Sequence, residues 1–136
     1  MIVIFDTNVI AQAVFWPRSN ARKSLSGLAK RRFQTAINEA ILEEYAATLT
    51  KLQASLGENT SVSAALAWIA AKSLHVEPAF LSGKLSRDPE DNLFVATAVA
   101  ARASFVVSQD RDLLALKKPF GISMVTPVQL VREFRL

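Results

Sequence analysis

The sequence predicts an α/β protein, a three-layer α/β/α sandwich around a central, mostly parallel sheet of about five strands. Three observations carry that expectation. Short apolar runs of strand length alternate with longer segments of helical period. Helix-start signals recur just after the runs, as in strand–helix units. The opening run, Ile2 to Phe5, is apolar on both faces instead of alternating, as a strand covered from both sides must be. With 136 residues, 51% of them apolar, the chain is one domain (1–136) able to bury a real core.

Residues 3–5 form the first strand, closed by Asp6, Thr7 and Asn8 in "MIVIFDTNVI". Residues 20–31 read as a helix with Leu25, Leu28 and Ala29 inward. Residues 33–37 suit a second strand, and Asn38 caps a helix over 39–53. Asn59, Thr60 and Ser61 open a helix to about residue 73 that carries Leu66, Trp68 and Ile69. A short strand over 74–76 stops at Pro78. Asp88 and Pro89 supply a helix cap and first residue, and that helix runs to about residue 103. "SFVVS" at 104–108 is a strand, and a short helix follows over 112–116. Gly121 breaks the chain before a last strand at 122–125. Thr126-Pro127 starts the final helix.

Composition narrows the function. There is no cysteine, which excludes disulfides and thiolate metal sites and suits a cytoplasmic protein. No signal peptide is evident, and no stretch is apolar enough to span a bilayer, so no membrane is expected. The net charge of +4 and basic clusters at Arg18/Arg22/Lys23, Lys30-Arg31-Arg32, Lys117-Lys118 and Arg132/Arg135 favour a polyanionic partner.

In a parallel sheet the carboxyl ends of the strands share one edge, where following helices begin. Asp6 ends the first strand, and Asp110 lies just past the strand at 104–108. Asp91 stands in the first turn of a helix and faces inward with Val95 and Ala98 at helical spacing. The helix after Asn38 has an apolar stripe of Ile41, Tyr45, Leu49 and Leu52. Glu44 flanks that stripe, while Glu43 points away from it. Four carboxylates, Asp6, Glu44, Asp91 and Asp110, are thus candidates for one site. Crowded acids repel one another unless a hard cation joins them. Mg²⁺ or Mn²⁺ suits carboxylate and water oxygens, and one histidine without cysteine makes zinc improbable. Acids within a basic chain point to phosphodiester chemistry, with the basic surface holding phosphates.

Plainer readings compete at several positions. Asp88 and Asp91 fit a capping box, and Asp110 and Asp112 can cap the short helix they precede or open. Asn8 can be a turn residue. His75 reads as structural, and Trp16 and Trp68 as core or interface residues.

The chain resembles the PIN-domain nucleases along nearly its whole length. "IFDTNVI" is similar to their first acidic motif, "AILEEYAATL" to the helix bearing the second acid, and "SRDPEDNLFVATAVAARASFVVSQDRDLLAL" to their second half. The resemblance implies a Mg²⁺- or Mn²⁺-dependent ribonuclease with Asp6, Glu44, Asp91 and Asp110 as metal-binding acids. It implies support from Asn8 and Ser108 and an accessory role for Asp112. "RDPED" resembles a branch of small prokaryotic PIN proteins (VapC-like) that act as toxins of type II toxin–antitoxin pairs. That branch implies an RNA substrate, a homodimer and a small antitoxin protein as partner. Two other readings remain open. One is a non-catalytic module that binds RNA or antitoxin; the other is a haloacid-dehalogenase-type phosphatase, although Asn8 stands where its second Asp belongs.

Overall fold

A computed structural model describes residues 1–57, 59–81 and 89–136, with backbone alone for 89–92. Its elements in chain order are β1 (Val3–Phe5), α1 (Thr7–Phe15), α2 (Asn20–Ala29), β2 (Thr35–Ile37), α3 (Glu39–Leu56), α4 (Val62–Ala71) and β3 (Ser73–His75). There follow α5 (Pro89–Ala101), β4 (Phe105–Val107), α6 (Arg111–Leu114), β5 (Ser123–Val125) and α7 (Pro127–Phe134). Every strand pair is parallel. β1-β4-β5 form one sheet and β2-β3 another, joined by a single bridge between Ile2 and Gln34. The spatial order is therefore β3-β2-β1-β4-β5, and the order reverses between β1 and β4.

The five expected strands are present, each three residues long. The sequence pattern does not predict α1. Its residues Val9, Ile10, Ala11, Ala13, Val14 and Phe15 are all buried. A helix enclosed on nearly every side keeps only a narrow polar stripe, here Asn8 and Gln12, so the period that marks an amphipathic helix is weak. Ala29 is exposed at the end of α2, contrary to the inward expectation.

Helices cover both faces of the sheet. Phe5, Phe33, Phe105 and Phe134 form one aromatic layer, with Phe33 and Phe134 centroids 4.9 Å apart. α2 approaches this layer so closely that a Cβ on Gly27 would lie 2.3 Å from the Phe33 ring. α5 lies across β1, β2 and β4 and buries Phe94, Val95 and Ala98. Asn38, itself buried, caps α3 by accepting from Ile41 N–H at 3.0 Å. Its amide donates to Thr97 Oγ1 of α5 (2.8 Å) and to the Val76 carbonyl (3.1 Å). One side chain thus locks α3, α5 and the end of β3 together at the carboxyl edge. Thr126 and Gln129 close a capping box on α7. No helix among the described residues is long and apolar enough to cross a membrane.

Candidate active site

The crevice between β1 and β4, beyond their carboxyl ends, is the switch point of the sheet, where open α/β folds place their ligands. Asp6 stands there. It is the N-cap of α1, 5% exposed, with Oδ1 accepting the Thr7 N–H at 2.8 Å. Oδ2 accepts from the Ser108 hydroxyl at 2.5 Å. One carboxylate is therefore held from both neighbouring strand ends.

The peptide that leads into Asp6 is fixed on both edges. Its N–H, on Asp6, donates to the Val107 carbonyl of β4 at 2.9 Å. Its C=O, on Phe5, accepts the Tyr45 hydroxyl from α3. The second bond fills a gap. β1 and β2 share only the bridge at Ile2 and Gln34, so by Phe5 the β2 side of β1 has no paired strand. Tyr45 is 1% exposed and stacks on Phe94. Burial, and then the negative charges of Asp6 and Glu44, push its hydroxyl well above a tyrosine's ordinary range. Helical spacing marks Tyr45 only as a stripe residue; its hydroxyl is the one signal in the sequence of a further role.

Glu44, one residue before Tyr45, is half-buried and accepts the Thr7 hydroxyl. Glu43 is exposed, as the helical wheel requires. Thr7 thus bridges the two acids: its backbone serves Asp6 and its side chain Glu44. Past β4, Ser108 also accepts the Asp110 N–H at 2.9 Å. Asp110 caps α6 by accepting from Asp112 N–H (2.8 Å) and Leu113 N–H (3.4 Å). The capping reading of Asp110 therefore holds alongside its place at the crevice. Asp112 is exposed. Asn8, also exposed, accepts the Gln109 N–H at 3.3 Å and ties the start of α1 to the loop after β4.

Asp6, Glu44, Asn8, Ser108 and Asp110 thus share one edge. Among the described residues no three acidic or histidine side chains gather into a single ligand set. Asp91 lies in the first turn of α5, and its side chain falls outside the described residues, as does all of Asp88. The donors at the crevice are carboxylate and hydroxyl oxygens, which fit a hard divalent ion such as Mg²⁺ or Mn²⁺. The single histidine is two strands away, largely exposed and 3.2 Å from Glu77, so it has no buried structural role. Trp16 and Trp68 are 46% and 37% exposed, so neither is a core residue.

The basic clusters do not surround the acids. Lys30-Arg31-Arg32 precede β2, Lys117-Lys118 precede β5, and Arg135 follows α7. Lys30-Arg31-Arg32 and Arg135 lie toward the amino edge, Lys117 runs beside β5 with its carbonyl accepting the Met124 N–H, and Arg22 folds back onto the Ala13 and Val14 carbonyls near the end of α1. Arg111, exposed beside Asp110, is the basic residue at the carboxyl end of β4, and it belongs to none of the clusters that stand out in the sequence.

A family model for the PIN domain matches residues 2–112, from before β1 through the start of α6. The chain belongs to the PIN domain family. PIN domains are generally nucleases. No curated protein matches the chain. The solved structures similar to this chain include two that share its fold. VapBC2 from Rickettsia felis, bound to a DNA fragment from its promoter, superposes with a TM-score of 0.61 at 16% identity, over 93% of this chain and 98% of that one. PAE2754 from Pyrobaculum aerophilum gives a TM-score of 0.63 at 19% identity, over 98% of this chain and 88% of that one.

Proposed function

We propose that this PIN domain is a Mg²⁺- or Mn²⁺-dependent ribonuclease, the toxin of a type II toxin–antitoxin pair, acting as a cytoplasmic homodimer. One observation carries the reading most of the way: Asp6 is a buried carboxylate at the switch point, held by Thr7 and Ser108, with Glu44 one hydroxyl away. Burying a carboxylate is costly unless it is hydrogen-bonded, and the bonds from the Thr7 N–H and the Ser108 hydroxyl fix the direction of this one. Asp6, Glu44, Asp91 and Asp110 are the residues that would hold the ion. Ser108 and Thr7 orient Asp6 and Glu44, and Asn8 and Asp112 support the loops around them. A bound divalent ion supplies activation of water and neutralisation of charge at phosphorus. The antitoxin partner is suggested by the fold shared with the VapBC2 complex and by the "RDPED" motif.

The test is cleavage of a mixed RNA pool with Mn²⁺, with EDTA and by an Asp6→Asn variant. Cleavage by the wild type with Mn²⁺ alone supports the reading. Activity that survives both chelation and the substitution ends it. A second reading has its own support. The basic residues at the amino edge, apart from the acids, fit a PIN module that binds RNA or antitoxin without cutting. It predicts RNA binding by the wild type and no cleavage under any metal.

A further inference from the structure

Five described residues other than glycine hold a positive φ: Arg31 (56°), Arg102 (55°), Lys117 (60°), Phe120 (54°) and Arg135 (52°). Four are basic, and the fifth is a phenylalanine 61% exposed to solvent. Arg31, Arg102, Phe120 and Arg135 lie toward the amino edge, opposite the acidic crevice, while Lys117 runs beside β5 with its carbonyl accepting the Met124 N–H at 2.8 Å. Arg31 ends α2 shortly before β2, Arg102 ends α5 before β4, and Lys117 and Phe120 precede β5. Arg135 follows Phe134, whose ring meets Phe33 and Phe105 at the amino ends of β2 and β4.

Three of the arginines occupy the same position in the same motif. Arg31 N–H donates to the Leu28 carbonyl and Arg32 N–H to that of Gly27. Arg102 to Val99 with Ala103 to Ala98, and Arg135 to Arg132 with Leu136 to Val131, repeat the pattern. These are Schellman closures, whose left-handed residue is usually glycine because a side chain there is strained. A cation near a helix C-terminus gains from the helix dipole. That gain, however, is available from any position in the last turn, without the strain. It says nothing for Phe120, a bulky exposed side chain in a conformation that bulky residues avoid. The segments 30–32, 117–121 and 132–135, with Lys72 and Arg102, contain a single acid, Glu133. Strain kept at several points of one surface, always in favour of charge or an aromatic ring, points to function.

We propose that the amino edge of the sheet is a binding surface for single-stranded RNA, with the arginines on phosphates and Phe120 stacked on a base. Cations that track a backbone beside an exposed aromatic ring are the recurrent solution for single strands. The surface is separate from the acidic crevice and does not depend on cleavage.

The experiment measures binding of a labelled oligoadenylate by fluorescence anisotropy in EDTA, across a salt series. It uses the wild type, an Arg31→Gly/Arg102→Gly/Arg135→Gly variant and Phe120→Ala. Glycine suits the left-handed positions, so the triple variant should melt at or above the wild-type temperature. Its affinity should fall by about tenfold or more, and its salt slope by about 0.7 for each phosphate no longer neutralised. Phe120→Ala should bind about tenfold more weakly with an unchanged slope. Should the triple variant fail to fold, Arg102→Gly alone and Phe120→Ala carry the same comparison. Wild-type affinity and slope in these variants, or no RNA binding by the wild type, would overturn the proposal. So would capture by phosphatidylserine vesicles in place of RNA. Absence of cleavage once Mn²⁺ replaces EDTA, with binding intact, would count against the nuclease reading and leave this surface standing.

Discussion

The two sides of β1 are held in different ways. Toward β4 the strand is paired over all three residues, and the pairing continues past it through the Asp6 N–H to Val107 and the Ser108 hydroxyl to Asp6. Toward β2 there is one bridge, and then the sheet opens. On that side the Phe5 carbonyl is met by a side chain, Tyr45, delivered by the helix that follows β2. Backbone positions the site on the closed side, and side chains position it on the open side. The open side is where Glu44 enters beside Tyr45. A fully zipped sheet would have left no gap for α3 to reach the end of β1.

Substitutions at the centre and on each side should separate these contributions. Asp6→Asn, at the centre, should have the largest effect, lowering Mn²⁺-dependent RNA cleavage by on the order of a hundredfold or more. Asparagine caps helices about as well as aspartate, so the melting temperature should stay near that of the wild type. A large loss of stability instead would show Asp6 to be mainly structural.

Ser108→Ala breaks the closed side. It removes a donor to a buried carboxylate and leaves the Asp110 N–H without its acceptor. Urea denaturation should show a loss of about 2–3 kcal/mol. Gly27→Ala, remote from both sides, is the reference for pure packing. The Phe33 ring it strikes is confined by Phe5 and Phe134, so a loss of about 2 kcal/mol is expected, with cleavage per folded molecule unchanged.

Tyr45→Phe breaks the open side and should have the smallest effect at neutral pH, about 1 kcal/mol, since only one hydroxyl is removed. Its signature is in alkali. The folded state holds the Tyr45 proton above a tyrosine's ordinary value of about 10, whereas the unfolded chain releases it there. Stability from this group is complete below that pH and is lost as pH rises beyond it, so Tyr45→Phe should flatten the alkaline decline. Tyr45 is the only tyrosine, so tyrosinate absorbance reports on it alone and should rise only with unfolding. Tyrosinate formed in the intact fold at its ordinary pH would show the hydroxyl is not enclosed.

The positions of the strands and of most helix starts were legible because short apolar runs and caps such as Asn38 and Thr126 act locally. α1 was not, because enclosure narrows the polar face that makes a helix visible to Asn8 and Gln12. Asp6 and Glu44 could be singled out from strand ends and the helical wheel. Tyr45's role depends on where the sheet splits, and a gap between two strands leaves no mark on either one. The opposition of acidic and basic edges was hidden for a related reason. It appears only when each cluster is assigned to the start or the end of a strand.

Whether the acids at the β1–β4 crevice hold a divalent ion is decided by anomalous diffraction from crystals soaked in Mn²⁺. A peak is expected about 2.0–2.2 Å from a carboxylate oxygen of Asp6, with oxygens of Glu44, Asp91 or Asp110 completing the shell. A map with no peak beside Asp6, from crystals in which the crevice is open to solvent, would contradict a metal site there.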